Sequence, residues 1–135
     1  MKNSIYYVNE EQFEKAYADW KERQDTYSVV LDGKELSTWD QFYKAMIKEF
    51  KLPMDESGPV DSYLDWMRDL EWLESEAYVL AVVNYDMLLC EEMELKNDLI
   101  SDFADYILPY WEKHVIKNCV GGYPKPFNVY FVSDK

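Results

Sequence analysis

Eight carboxylates, Asp55, Glu56, Asp61, Asp65, Asp69, Glu71, Glu74 and Glu76, crowd residues 55 to 76 against a single base, Arg68. Within that stretch Asp61, Asp65 and Asp69 recur every fourth residue, a spacing that on a helix stacks like charges along one face. Each such pair costs a helix about 0.2–0.5 kcal/mol, so local stability does not account for the row. Spaced carboxylates can stand in for the phosphates of a polyanion and dock into a basic cleft, and their long-range field speeds encounter with it. The plainer alternative is a solvated face, with Arg68 neutralising Asp65 or Asp69 and Trp72 tucked against a neighbouring loop.

Other chemistry finds little support in the residue types. Asp61 and Asp65 as an acid/base pair would have to face each other across a substrate, which neighbours on one helix do not do. The three aspartates could collect a divalent cation weakly, but there is no calcium-type ligand loop and no His/Cys set. His114 is the single histidine and belongs to no nucleophile motif. None of the four glycines falls in a phosphate-binding array. No metal and no cofactor is expected.

Charge narrows the partner. A formal net charge of −13 and a pI near 4.4 oppose direct contact with nucleic acid or an anionic membrane, both of which need Lys/Arg surfaces. The field favours a cationic protein. With 48% hydrophobic and 17% aromatic residues, the 135-residue chain is too apolar for an acidic tail and matches one ordinary domain. Cys90 and Cys119 match no CxxC pattern and read as free buried thiols. The start, MKNSIYYVNEEQF, lacks a sustained apolar segment and is no secretory signal, and the longest apolar run, residues 77 to 83, is too short to span a bilayer. A cytoplasmic setting follows as the expectation.

The elements that must position the row are legible as periodicities. Residues 28–31, 78–83 and 127–132 are short apolar runs of the kind that form strands covered on both faces. Thr38-Trp39-Asp40-Gln41 has the form of a capping box, followed by Phe42, Met46 and Phe50 at helical spacing until Leu52-Pro53. Gly58-Pro59 opens the acidic helix and places Asp61 in its first turn. At about 100° per residue, residues 60 to 72 put Val60, Tyr63, Leu64, Met67 and Leu70 on one side and Asp61, Asp65, Arg68, Asp69 and Trp72 on the other. Ile100, Phe103, Ile107, Trp111 and Val115 mark a long amphipathic helix that Pro109 should kink or split at a cost of about 3 kcal/mol. Gly121-Gly122-Tyr123-Pro124-Lys125-Pro126 is the turn feeding the last strand. This order predicts an α/β layer with a three-stranded parallel sheet and right-handed crossovers. Phe13, Tyr17 and Trp20 make residues 1 to 26 an extra packed N-terminal helix beside a domain spanning 27 to 135.

The run from Val29 to Phe42 (VVLDGKELSTWDQF), then Phe50-Lys-Leu-Pro53, the acidic helix, Tyr78-Val-Leu-Ala-Val-Val83 and the closing strand resembles the barstar family of ribonuclease inhibitors over residues 27 to 133. That family carries two aspartates eight and twelve residues beyond its leucine-proline stop, and those offsets from Pro53 fall on Asp61 and Asp65. The resemblance implies a cytoplasmic, cofactor-free, non-enzymatic protein, monomeric when free, that plugs the active site of a basic ribonuclease or nuclease toxin with this helix. It gives Asp65 the dominant contact, with Asp61 beside it and Glu112 at the margin, and the acidic row itself adds Asp69 as a flanking contact, Glu56 at the margin and Trp66 or Trp72 as aromatic contacts. The sequence departs from the family between Met54 and Val60, where Ser57 replaces a glycine and Pro59 an asparagine, and Leu64 replaces a tryptophan. A second expectation keeps the fold but gives the acidic face to a different cationic protein, without nuclease inhibition. A small hydrolase using the row comes third.

Overall fold

The computed structural model describes residues 2–55, 62–115 and 123–133. Glu56, the Gly58-Pro59 helix start, Val60, Asp61, Cys119, Gly121 and Gly122 lie outside the described residues. The elements run β1 (Ile5–Val8), α1 (Glu10–Trp20), β2 (Thr26–Asp32), α2 (Trp39–Glu49), α3 (Ser62–Met67), β3 (Ala77–Val83), α4 (Met93–Ser101, continuing as widened helical turns through Asp102–Ile107 and Tyr110–His114) and β4 (Phe127–Val132).

The sheet has four parallel strands in the order β1-β4-β3-β2, one more than the sequence pattern suggested. The added strand is Ile5-Tyr-Tyr-Val8, a β-branched and aromatic run suited to a pleated surface. It pairs with β4, Ile5 opposite Val129 and Val8 opposite Val132. Residues 1 to 26 thus supply a strand as well as the expected helix.

Strand order dictates where the helices go. The path β2 to β3 to β4 advances across the sheet in one sense, and β1 to β2 crosses all of it in the other. Right-handed crossovers therefore put α2, α3 and α4 on one face and α1 on the opposite one. Side chains agree: Tyr78, Leu80 and Val82 of β3 join the large core with Phe42, Phe103 and Phe127, while Val79 and Ala81 meet Trp20, Phe13 and Tyr17 of α1. Because both faces of β3 are covered, five consecutive residues, Tyr78 to Val82, are buried, as a central parallel strand requires.

Local signals set the ends of α2. Its N-terminus carries the capping box, with Thr38 Oγ1 accepting from the Gln41 N–H and Gln41 Oε1 accepting from the Thr38 N–H. At the other end Lys51 turns left-handed at φ 54°, and the Leu52 N–H donates back to the Ile47 carbonyl at 3.0 Å, a Schellman-type stop. The Asp32-Gly33 turn after β2 needs its glycine for space, since a Cβ at Gly33 would sit 2.2 Å from the Asn84 carbonyl oxygen.

Pro109 does not split the last helix. The flanking segments widen to i→i+5 bonding, with Leu108 N–H donating to the Phe103 carbonyl and Val115 N–H to that of Tyr110. Such widening shifts the carbonyl pairing around a residue that has no N–H and whose ring crowds the preceding turn. Cys90, expected to be buried, is exposed in the turn after the 3-10 segment Tyr85–Met87, its N–H donating to the Met87 carbonyl.

Candidate binding face

α3 is seated by its apolar side and stopped from below. Tyr63 and Met67 are buried, as is Leu70 just beyond them. The Trp111 indole of α4 donates from Nε1 to the Met67 carbonyl at 2.9 Å, taking up one of the carbonyls that a helix end leaves without a partner. Leu70 then adopts a left-handed conformation, φ 54°, while completely buried. A non-glycine residue there costs roughly 1–2 kcal/mol, which its burial offsets. Among the described residues the helix covers Ser62–Met67, rather than extending to residue 72.

That early stop separates the acidic row. Asp65 stands on the outer side of α3 with its side chain 77% exposed, paired to Arg68 at 2.9 Å. Asp69 falls in the turn after the helix and is half-buried, its Oδ1 accepting from the Glu71 N–H at 3.3 Å. The helical stack from Asp65 to Asp69 is therefore corrected to one outward carboxylate and one turn carboxylate. Asp61 and Glu56 lie outside the described residues.

The aromatics are turned further inward than an exposed rim would need. Trp72 is half-buried and donates from Nε1 to the Phe50 carbonyl at 2.9 Å. That carbonyl belongs to the C-terminal cap of α2, where the helix itself supplies no donor. Trp66 packs edge-on against Trp72, ring centroids 5.8 Å apart. The two half-buried indoles pack on each other at the exit of α3. Glu112 is engaged within the chain. Its Oε1 accepts from the Asn3 backbone N–H at 2.7 Å, tying the segment before β1 to the last helix.

The structure brings a different pair of α4 carboxylates to α3. Asp102 accepts from the Tyr63 hydroxyl at 2.5 Å, and Asp98 lies four residues earlier on the same side of a groove walled by Trp39 and Leu64. The i,i+4 spacing of Asp98 and Asp102 is visible in the sequence. Their apposition to α3 is not, because it depends on how α4 crosses the sheet.

With this geometry in place, the comparisons with known proteins are direct. The sequence model of the family described as Barstar (barnase inhibitor) matches residues 26–120, and the chain belongs to that family. The matched stretch runs from β2 through α4 and includes α3; β1 and α1 precede it. No curated protein gives a significant sequence match. Among solved structures, the ADP form of the Aeropyrum pernix ORC2 protein is similar at TM-score 0.62 and 10% identity, over 98% of this chain and 36% of that one. The same protein in ADPNP-ADP complexes gives TM-score 0.51 and 13% identity, over 98% and 35%. The chain spans about a third of the length of those ORC2 chains, and at such identities the likeness is one of fold alone.

Proposed function

We propose that this protein is a stoichiometric, cofactor-free, cytoplasmic inhibitor that occludes the active site of a basic ribonuclease or nuclease toxin with the outer face of α3. The observation that carries this reading is the family match across a helix whose Asp65 carboxylate stands 77% exposed on the side away from the core. Asp65 is the central contact, Asp69, Trp66 and Trp72 flank it, and Asp61 and Glu56 extend the charge. Glu112, occupied by Asn3, is left out of the contact set. The overall charge of −13 favours fast, salt-sensitive encounter with a cationic cleft.

The test is titration of the protein into a panel of basic microbial ribonucleases, with loss of RNA cleavage near equal molarity as the expected result. Truncating one member of a desolvated charge pair costs about 2–5 kcal/mol, so Asp65→Ala should weaken the complex far more than Glu94→Ala. Equal effects of the two would remove α3 from the interface.

A second reading has its own support. Asp65 is paired within the chain to Arg68, and Trp72 is held inward by the Phe50 carbonyl, so the face differs from a bare row of acids and aromatics. In that reading the face serves another cationic protein, and the same ribonuclease panel would show no inhibition.

A further inference from the structure

The strand order places a crevice that β2, β3 and β4 alone would not form. Those three advance across the sheet in one sense with their helices on one face, whereas β1, on the far side of β4, sends α1 to the other face. Connections that leave neighbouring strand ends toward opposite faces open a crevice at the carboxyl end of the sheet, where ligands of open α/β folds bind. A cavity of about 350 Å³ lies there, walled by Tyr7 of β1, Tyr85 and Asp86 after β3, and Phe131 and Ser133 at the end of β4. Its size falls within the roughly 300–1,000 Å³ range of small-ligand pockets. We propose that it binds a small quaternary ammonium compound. The site lies apart from α3 and does not depend on the identity of the protein partner.

The surroundings exclude other ligands one class at a time. A second cavity of about 270 Å³, on the α1 side of the same strand end, carries Glu10 and Glu14, and among the described residues no Lys or Arg lines either cavity. Anions are repelled by these carboxylates. The start of α1 offers them no donors in return, because its first turn is acidic and closed by its own capping box: Asn9 Oδ1 accepts from the Gln12 N–H at 2.8 Å and Gln12 Oε1 from the Asn9 N–H at 3.0 Å. Among the described residues no group of three or more His, Cys, Asp or Glu side chains could hold a metal ion. A neutral apolar molecule would dehydrate Asp86 with no counter-charge in return.

A cation with an apolar surface is left, and the rings select it. Phe131 stacks on Tyr85 with centroids 4.3 Å apart. Tyr7, 60% exposed, leans against Phe131 at 5.5 Å and 57° and against Tyr85 at 5.8 Å and 74°. The cluster already carries one ammonium, since the buried Lys96 holds its Nζ 4.2 Å from the Tyr85 ring centre while donating to the Tyr85 carbonyl. Asp86 is the exposed counter-charge, its Oδ2 accepting from the Ser133 hydroxyl at 3.1 Å. A primary ammonium brings three N–H donors, and the Asn9 and Gln12 oxygens are engaged in the capping box. A quaternary ammonium needs no acceptor, is attracted by ring faces and still directs its charge toward Asp86.

The test uses the full chain, ¹⁵N-labelled, titrated with choline, with its neutral isostere dimethylbutanol and with ethanolamine. The expected result is saturable NMR shifts at the Tyr7, Asp86 and Ser133 amides with choline. Dimethylbutanol keeps the shape without the charge and should give none; ethanolamine, which lacks the methyl groups, should bind at least about tenfold more weakly. Tyr7→Leu and Asp86→Asn, both at exposed positions, should each weaken choline binding at least about tenfold while leaving the rest of the spectrum folded. Equal binding of dimethylbutanol or ethanolamine, no saturable shift, or shifts centred on residues 62 to 76 would each overturn the inference, the last because it marks attraction to acidic surface in general. Blocked trimethyllysine tests the other source of the same group. Tighter binding of it than of choline would place a modified peptide in the cavity and overturn the assignment to a free compound.

Discussion

Trp111 and Trp20 are both buried, 3% and 6% exposed, on opposite faces of the same sheet. Trp111 donates its indole N–H to the Met67 carbonyl and so locks α4 to the end of α3. Trp20, the last residue of α1, packs against Tyr17 and Tyr130 and finds no acceptor for its Nε1 among the described residues. The face that carries α3 is held by directional bonds as well as by packing, while Trp20 on the α1 face is seated by apolar packing, tilted against Tyr130 and over Val79 and Ala81. If α3 presents Asp65 to a partner as proposed, its position matters more than that of a helix that only covers apolar surface.

The largest expected effect in this comparison is on the α3 side. Phe127 is completely buried and touches Phe50, Tyr78 and Phe103. Phe127→Ala should cost about 3–5 kcal/mol, read as a lower urea midpoint. Next comes Asn3→Ala at the junction of the two regions. The Asn3 side chain serves the Phe127 N–H and the Leu108 and Lys125 carbonyls, and each buried group left unmatched costs about 1–3 kcal/mol. Its loss should loosen β1 while leaving the Glu112 bond to the Asn3 backbone available, which amide exchange along β1 and β4 would show.

The tryptophans themselves sharpen the contrast. Trp111→Phe orphans the Met67 carbonyl and should cost about 1–3 kcal/mol, whereas Trp20→Phe removes an N–H that had no acceptor and should stay within about 1 kcal/mol. Equal losses in chemical denaturation would mean the two faces are held alike. The smallest effect is expected at the edge turn. There the Asn84 amide, then the Lys34 N–H, hold the Asp32 carboxyl below its ordinary range. A depressed folded pKa gives stability that is present above the unfolded value of about 3.9 and is lost as pH falls through the lower folded value. Asp32→Asn should therefore reduce the difference between urea midpoints at pH 7 and at acid pH, with little change in shape.

Much of this was readable in the residues because the signals are local. The Thr38–Gln41 capping box, the Leu52-Pro53 stop and the runs of β2, β3 and β4 each act within a few positions of themselves. β1 escaped notice because Ile5–Val8 is short and its partner strand lies at the far end of the chain. The end of α3 was hidden for a different reason. The apolar period continues through Leu70, but the Trp111 indole donates to the Met67 carbonyl and Leu70 turns left-handed, and neither event leaves a mark in the periodicity. On the candidate face, the outward position of Asp65 was legible from the helical projection of residues 60 to 72. The inward turn of Trp72, the commitment of Glu112 to Asn3 and the approach of Asp98 and Asp102 to α3 all depend on contacts between distant segments.

The register Ile5 opposite Val129 also sets a schedule. The two residues are 124 positions apart, so at about 5–20 residues per second a ribosome needs roughly 6–25 s after making β1 to make its partner. During that interval Tyr6 and Tyr7 belong to a strand with no sheet to join, a liability for edge-to-edge association. A long closure of this kind also slows folding. In the cell, β1 waits for β4, made more than a hundred residues later, to shelter it.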